Sequence, residues 1–138
     1  MNDFALHPQL AADTHHVASL SLCDVLLMND ANYPWLILVP RVARAGELLD
    51  LEDKSRAQLW REIDLVSQSL RELFVPDKLN IAALGNMVSQ LHVHVIARFK
   101  NDVAWPKPVW GAQPARAYTS QELDERIRGL RNTLPAQA

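Results

Sequence analysis

The chain has one cysteine, Cys23, among its 138 residues. It can therefore close no disulfide within itself and build no cysteine-based metal cage. No apolar run approaches the roughly 20 residues that a membrane-spanning helix needs. The opening Met1-Asn2-Asp3-Phe4 lacks the basic segment and apolar stretch of a signal peptide. These absences lead us to expect a cytoplasmic protein with no membrane partner. Neither sign of charge dominates either. A net charge of −2 argues against a general grip on nucleic acid polymers, which needs a basic face. A small phosphate ligand stays open, because backbone N–H groups and neutral imidazoles can hold one. There are no internal repeats and no low-complexity tracts. The length fits one domain over residues 1–138 with a single core, and apolar and charged contents of 49% and 22% are ordinary for a globular protein.

What is present reads as alternating strands and helices. Residues 1–19 hold short polar pieces, a possible helical turn at Pro8–Ala12, and His7, His15 and His16, which fit solvated surface positions. Strand signals begin near Leu20 and run through Val25-Leu26-Leu27-Met28. After a turn at residues 29–34, the apolar run Trp35-Leu36-Ile37-Leu38-Val39 suits a strand covered on both faces. The pattern predicts an antiparallel hairpin of Leu22–Met28 with Trp35–Val39. A long helix follows, with Asp50 as its cap and Glu52 and Asp53 in its first turn. Leu59, Ile63, Val66, Leu70 and Leu73 form one stripe, widened by Trp60 and Phe74, and Pro76 stops it. Leu79–Leu84 reads as a strand and Gly85-Asn86 as a turn. The tail from Asn101 to Ala117, with Trp105 and Trp110, reads as an extended arm. Thr119 to Glu122 fits a capping box for a short final helix. The order indicates α+β with an antiparallel sheet.

The stretch Gln90-Leu91-His92-Val93-His94-Val95-Ile96-Ala97-Arg98 has the period of a half-buried strand, with Gln90, His92 and His94 on one face. Paired imidazoles permit three readings. A neutral ring nitrogen can attack phosphorus and form a covalent phosphoramidate, provided an acceptor holds its other nitrogen as N–H. His-x-His can present two zinc ligands, with a third drawn from His15, His16 or a distant carboxylate. Or both rings are polar groups on a wet sheet face. Arg98 reads as a solvated strand end, Trp35 and Trp60 as core, and Ser89 as pointing away from the histidines.

Gln90-Leu91-His92-Val93-His94-Val95-Ile96 resembles the signature of the histidine triad (HIT) superfamily, His-φ-His-φ-His-φ-φ with φ apolar, with Gln90 where the first histidine usually stands. Leu26–Asn29 followed by Tyr33–Pro40 resembles the family's early hairpin. Gly85-Asn86 stands where relatives often carry Gly-Gln, and Asp102 to Gly111 is similar to a bacterial HIT branch. The likeness runs from about Leu20 to Gly111. It implies about five antiparallel strands with one long helix, a core at about 20–100 with residues 101–138 as arm and helix, and a homodimer. It implies hydrolysis or transfer of a nucleotidyl group from a dinucleoside polyphosphate or nucleoside phosphoramidate, without metal or cofactor. His92 would be the nucleophile and His94 a contact to phosphate or leaving group. Asn29 would meet the ribose, Asn86 would contact phosphate, and Gln90 would be a binding residue, able to donate and accept hydrogen bonds where the first histidine usually stands. Trp35 replaces a histidine of several relatives.

Overall fold

Four short segments that carry Val, Ile or Leu, and a fifth, more polar one at the edge, enter one sheet. The computed structural model describes residues 3–135. Its strands are β1 (Thr14–Ser19), β2 (Cys23–Met28), β3 (Trp35–Pro40), β4 (Lys78–Ala82) and β5 (Val93–Arg98), in the spatial order β1-β2-β3-β5-β4. Every neighbouring pair is antiparallel. The expected hairpin is present, with Leu26 opposite Ile37 and Asp24 opposite Val39. Three helices complete the fold: α1 (Pro8–Asp13), α2 (Asp53–Phe74) and α3 (Ser120–Thr133). No helix among the described residues is long and apolar enough to cross a membrane.

The sheet is apolar on both faces, and each face has its own cover. On one side Val25, Leu27, Leu36, Leu38, Val93 and Val95 pack with Leu59, Ile63, Val66 and Leu70 of α2 and Leu130 of α3. On the other side Leu26, Trp35, Ile37, Val39 and Ile96 pack with Leu10 of α1 and with Ala104 and Val109 of the C-terminal arm. This second layer carries the histidines.

Several expectations are corrected. Residues 14–19 form the edge strand β1 rather than polar coil; its alternation is broken by a register irregularity between His16 and Ala18, so Val17 is its one buried residue. Asp50 does not cap α2. It accepts the N–H groups of Gly46 and Glu47 and closes a 3-10 turn at Leu48–Asp50, while α2 starts after Glu52. Trp60 is 59% exposed rather than core, because the stripe of α2 that faces the sheet runs through Glu62 instead. That carboxylate is fully buried and accepts the N–H groups of Leu22 and Cys23 at 2.9 and 2.8 Å, which satisfies two backbone donors at the start of β2. Leu73 lies at the margin of the core, against Gly129 of α3. The final helix has its Thr119–Glu122 capping box.

Arg98 is the largest departure. It is 1% exposed, not solvated. Its guanidinium meets both carboxylate oxygens of Asp102 at 2.8 and 3.1 Å and also reaches Asn80 and the Lys107 carbonyl. Tyr33 and Trp105 flank it, with ring centroids 5.5 and 5.7 Å from Cζ. Asp102 also accepts the N–H groups of Phe99, Ala104 and Trp105. One ion pair thus pins the first part of the arm to the end of β5.

Candidate active site

The histidine segment is partly strand and partly not, and the boundary matters. The last β3–β5 pair is Leu38 with Val93, so Leu91 and His92 lie outside the regular strand and the Gln90 carbonyl is outside the ladder. That free carbonyl stands 2.6 Å from His92 Nδ1. A carbonyl only accepts, so Nδ1 carries the hydrogen and the lone pair of the neutral ring sits on Nε2. His94 has the opposite arrangement. The indole Nε1–H of Trp35 donates to His94 Nδ1 at 3.0 Å. An indole nitrogen only donates, so Nδ1 is bare and a neutral His94 carries its hydrogen on Nε2. Ring centroids of His92 and His94 are 5.0 Å apart, and the planes stand at 69°. The pair therefore offers one free lone pair and one N–H donor side by side.

Electrostatics keep His94 neutral. It is 4% exposed. Burial, and then the neighbouring His92 ring, push its pKa down to about 4. Trp110 from the arm stands edge-on to His94 with centroids 5.0 Å apart, and Trp35 and Trp110 meet at 5.8 Å. His94 thus has aromatic rings on three sides.

His92 is 7% exposed, yet it borders two clefts. The one it shares with His94, of about 280 Å³, is walled by Leu10 and Asp13 of α1, Met28, Ile37, Trp110 and the loop from Leu84 to Val88. The other, of about 350 Å³, lies between Gly46–Leu49 and Ala83–Gly85. Both are near the low end of the range for small-molecule sites. The shared loop turns at Gly85, whose φ of +79° is open to glycine and strained for other residues.

Of the residues singled out from sequence, the structure brings His92, His94 and Asn86 to one cleft. Gln90 and Asn29 point elsewhere. The Gln90 side chain accepts the His7 N–H and donates to the Ala5 carbonyl, so it ties down the N-terminal segment. What serves His92 is the main-chain carbonyl of Gln90. Asn29 ends β2 and accepts the Tyr118 N–H at 3.1 Å, which docks the chain ahead of α3. Ser89 is exposed and lines neither cleft. Trp35 is buried as expected, but its polar edge is part of the site, which sequence reasoning missed. A signal existed: register sets Ile37 against His94, so Trp35 shares that face one step along and its only polar atom needs an acceptor. Leu10 and Asp13 were missed too, since nothing local to residues 8–13 points to a distant cleft. Among the described residues no group of three or more His, Cys, Asp or Glu side chains gathers that could hold a metal ion, so the two histidines have no third ligand there.

Comparisons with known proteins bear on the family and the fold. The model of the HIT domain family matches residues 9–101. A histidine triad protein from Bradyrhizobium japonicum superposes with a TM-score of 0.94 at 49% identity, over 96% of this chain and 98% of that one. One from Marinobacter aquaeolei gives 0.92 at 49% identity, over 95% and 96%. One from Sinorhizobium meliloti gives 0.93 at 41% identity, over 97% and 99%. No protein with a curated description matches.

Proposed function

Because the chain belongs to the HIT domain family, we propose that it is a nucleotide hydrolase or transferase acting on the α-phosphorus of a nucleoside phosphate compound. The observation that carries this reading is the bond between His92 Nδ1 and the Gln90 carbonyl. It holds the neutral ring in the tautomer whose Nε2 carries the nucleophilic lone pair. In the proposed reaction Nε2 attacks the α-phosphorus, the leaving group departs with its electron pair, and water then cleaves the nucleotidyl-His92 bond. In this scheme His94 Nε2–H and Asn86, which line the same cleft, donate to the non-bridging oxygens, where preorganised donors count most. Dinucleoside polyphosphates and nucleoside phosphoramidates are the substrate classes. The apolar wall of Leu10, Met28 and Ile37 is the proposed nucleoside side. Neither a metal nor a cofactor has a part in the scheme.

Gln90 is read as occupying the first histidine's place in the family motif. Its turn toward Ala5 and His7 favours a second reading, a nucleotide-binding module with little catalysis. A cytoplasmic homodimer is proposed as well. Edge strand β4 has a partner on one side only, and Ile81, Leu84, Leu48 and Leu49 near it are exposed, which suits pairing with a second copy. Sedimentation at several concentrations tests it.

The catalytic test is direct. Brief incubation with an α-labelled dinucleoside polyphosphate, followed by quenching, should leave acid-labile label on the protein. His92→Ala should lose both label and turnover. Normal turnover by the variant would remove His92 as nucleophile, and tight nucleoside monophosphate binding with no turnover by the native chain would favour the binding module.

A further inference from the structure

A general acid at this site would have to give a proton to a leaving group and be left in a stable form. His94 is the second imidazole on the cleft, so its hydrogen-bond partners decide whether it can. Its Nδ1 is occupied by the indole N–H of Trp35 at 3.0 Å. A nitrogen that accepts from an obligate donor holds no hydrogen of its own, so the ring can be neutral with Nε2–H but cannot be the doubly protonated cation while that bond lasts. Among the described residues no carboxylate is hydrogen-bonded to the ring; Asp13 lines the same cleft, with both its carboxylate oxygens accepting from the Gln9 side-chain amide. Trp35, Trp110 and His92 are the rings packed on it, and His92 is the titratable group among them. Losing the Nε2 proton from a neutral ring would leave an imidazolate, which is far too basic to form at neutral pH.

We propose that Trp35 is a positioning residue that locks His94 as a fixed Nε2–H donor, and that the site thereby selects nucleotides whose leaving group departs as an anion over those whose leaving group is an amine. The inference rests on the reading of His92 as nucleophile. In the preferred reaction the P–N bond to His92 Nε2 forms and the P–O bond to the leaving phosphate breaks. The electron pair stays on that oxygen, which departs as part of a nucleoside polyphosphate anion and requires no proton. His94 donates a hydrogen bond to a non-bridging oxygen and keeps its hydrogen. With a phosphoramidate, breaking the P–N bond to the leaving amine demands a proton on that nitrogen, and the locked His94 cannot supply it.

Two measurements separate this inference from the reading beneath it. A long-range proton–nitrogen correlation spectrum of isotopically labelled native protein reports the His94 tautomer without any turnover. Bare Nδ1 and protonated Nε2 are expected, and Trp35→Phe, which keeps a ring but removes the N–H, should shift His94 toward mixed tautomers. A hydrogen on His94 Nδ1 in the native protein would overturn the role of Trp35. Kinetically, a dinucleoside polyphosphate should be turned over at least ~100-fold faster than a phosphoramidate of the same nucleoside, the scale of a missing general acid. Trp35→Phe should narrow that preference by about tenfold or more. Equal or faster use of the phosphoramidate by the native protein would overturn the substrate half. Turnover of neither compound would remove the nucleophile reading and the substrate half together, while the nitrogen spectrum still decides whether Trp35 sets His94. Should Trp35→Phe fail to fold, the native spectrum and the native rate ratio remain sufficient.

Discussion

His94 illustrates how one side chain links burial to pH. Its folded pKa of about 4 lies below the ordinary histidine value of 6.5. Between those two values the unfolded chain binds a proton that the folded chain refuses. The stabilisation is therefore complete above pH 6.5 and is lost as pH falls toward 4, by about 3 kcal/mol in all. Denaturant unfolding at pH 7, 5.5 and 4.5 should show the decline, and His94→Gln should flatten it. An unchanged slope in that variant would mean that His94 is not the group responsible. At this scale the sequence was half legible. His92 and His94 could be picked out because two imidazoles at one spacing are conspicuous in chemistry and in pattern. The backbone partners of Gln90 and Asn29 were not readable, because a carboxamide serves a backbone N–H as readily as a ligand and the partners, His7 and Tyr118, lie 83 and 89 residues away. Trp35 was read by its apolar bulk, and its single N–H was overlooked.

At the level of elements, the ends were harder to read than the bodies. The apolar stripe of α2 and the strand pair β2–β3 follow from periodicity. Edge strand β1 did not, because one irregular step destroys the alternation that marks a strand. Nor did the buried Glu62, whose value comes from the β1–β2 connection it satisfies. The C-terminal end of α2 holds a defect open to test. Val75 caps that helix in the left-handed region, with φ 50° and ψ 57°, and is 78% exposed. A β-branched residue there carries a conformational cost of about 1–2 kcal/mol and gains little packing in return. Val75→Gly, after allowing for glycine's freedom in the unfolded chain, should raise stability by roughly 1 kcal/mol and the melting temperature by about 4 °C. A fall in calorimetric melting temperature would refute that account.

Across the whole molecule, the cleft is assembled from distant parts. Leu10 and Asp13 come from α1, the histidines from the approach to β5 and its early residues, and Trp110 from the arm. Arg98 and Asp102 hold the arm in place. Removing the cation would leave a buried carboxylate unpaired, so Arg98→Ala should cost about 3–5 kcal/mol. It should also release Trp110 from His94, and tryptophan fluorescence under conditions where the variant stays folded should report a more hydrated indole. A variant of native stability and native emission would show that the arm is held by something else. The layered α+β arrangement was readable in the sequence, and the unbroken apolar run of β3 already indicated cover on both faces; what covers the second face was not readable, since it is an irregular arm with no period to detect.

The sheet order carries one more consequence. β3 and β4 never touch as neighbours; β5 lies between them and is hydrogen-bonded to both. During synthesis, a ribosome that has released the chain as far as Leu91 has delivered three strands able to zip together and a fourth with nowhere to dock. The segment that brings the imidazoles also joins the two halves. Chain assembly and placement of the histidine pair are therefore a single event, and a nascent chain without one lacks the other.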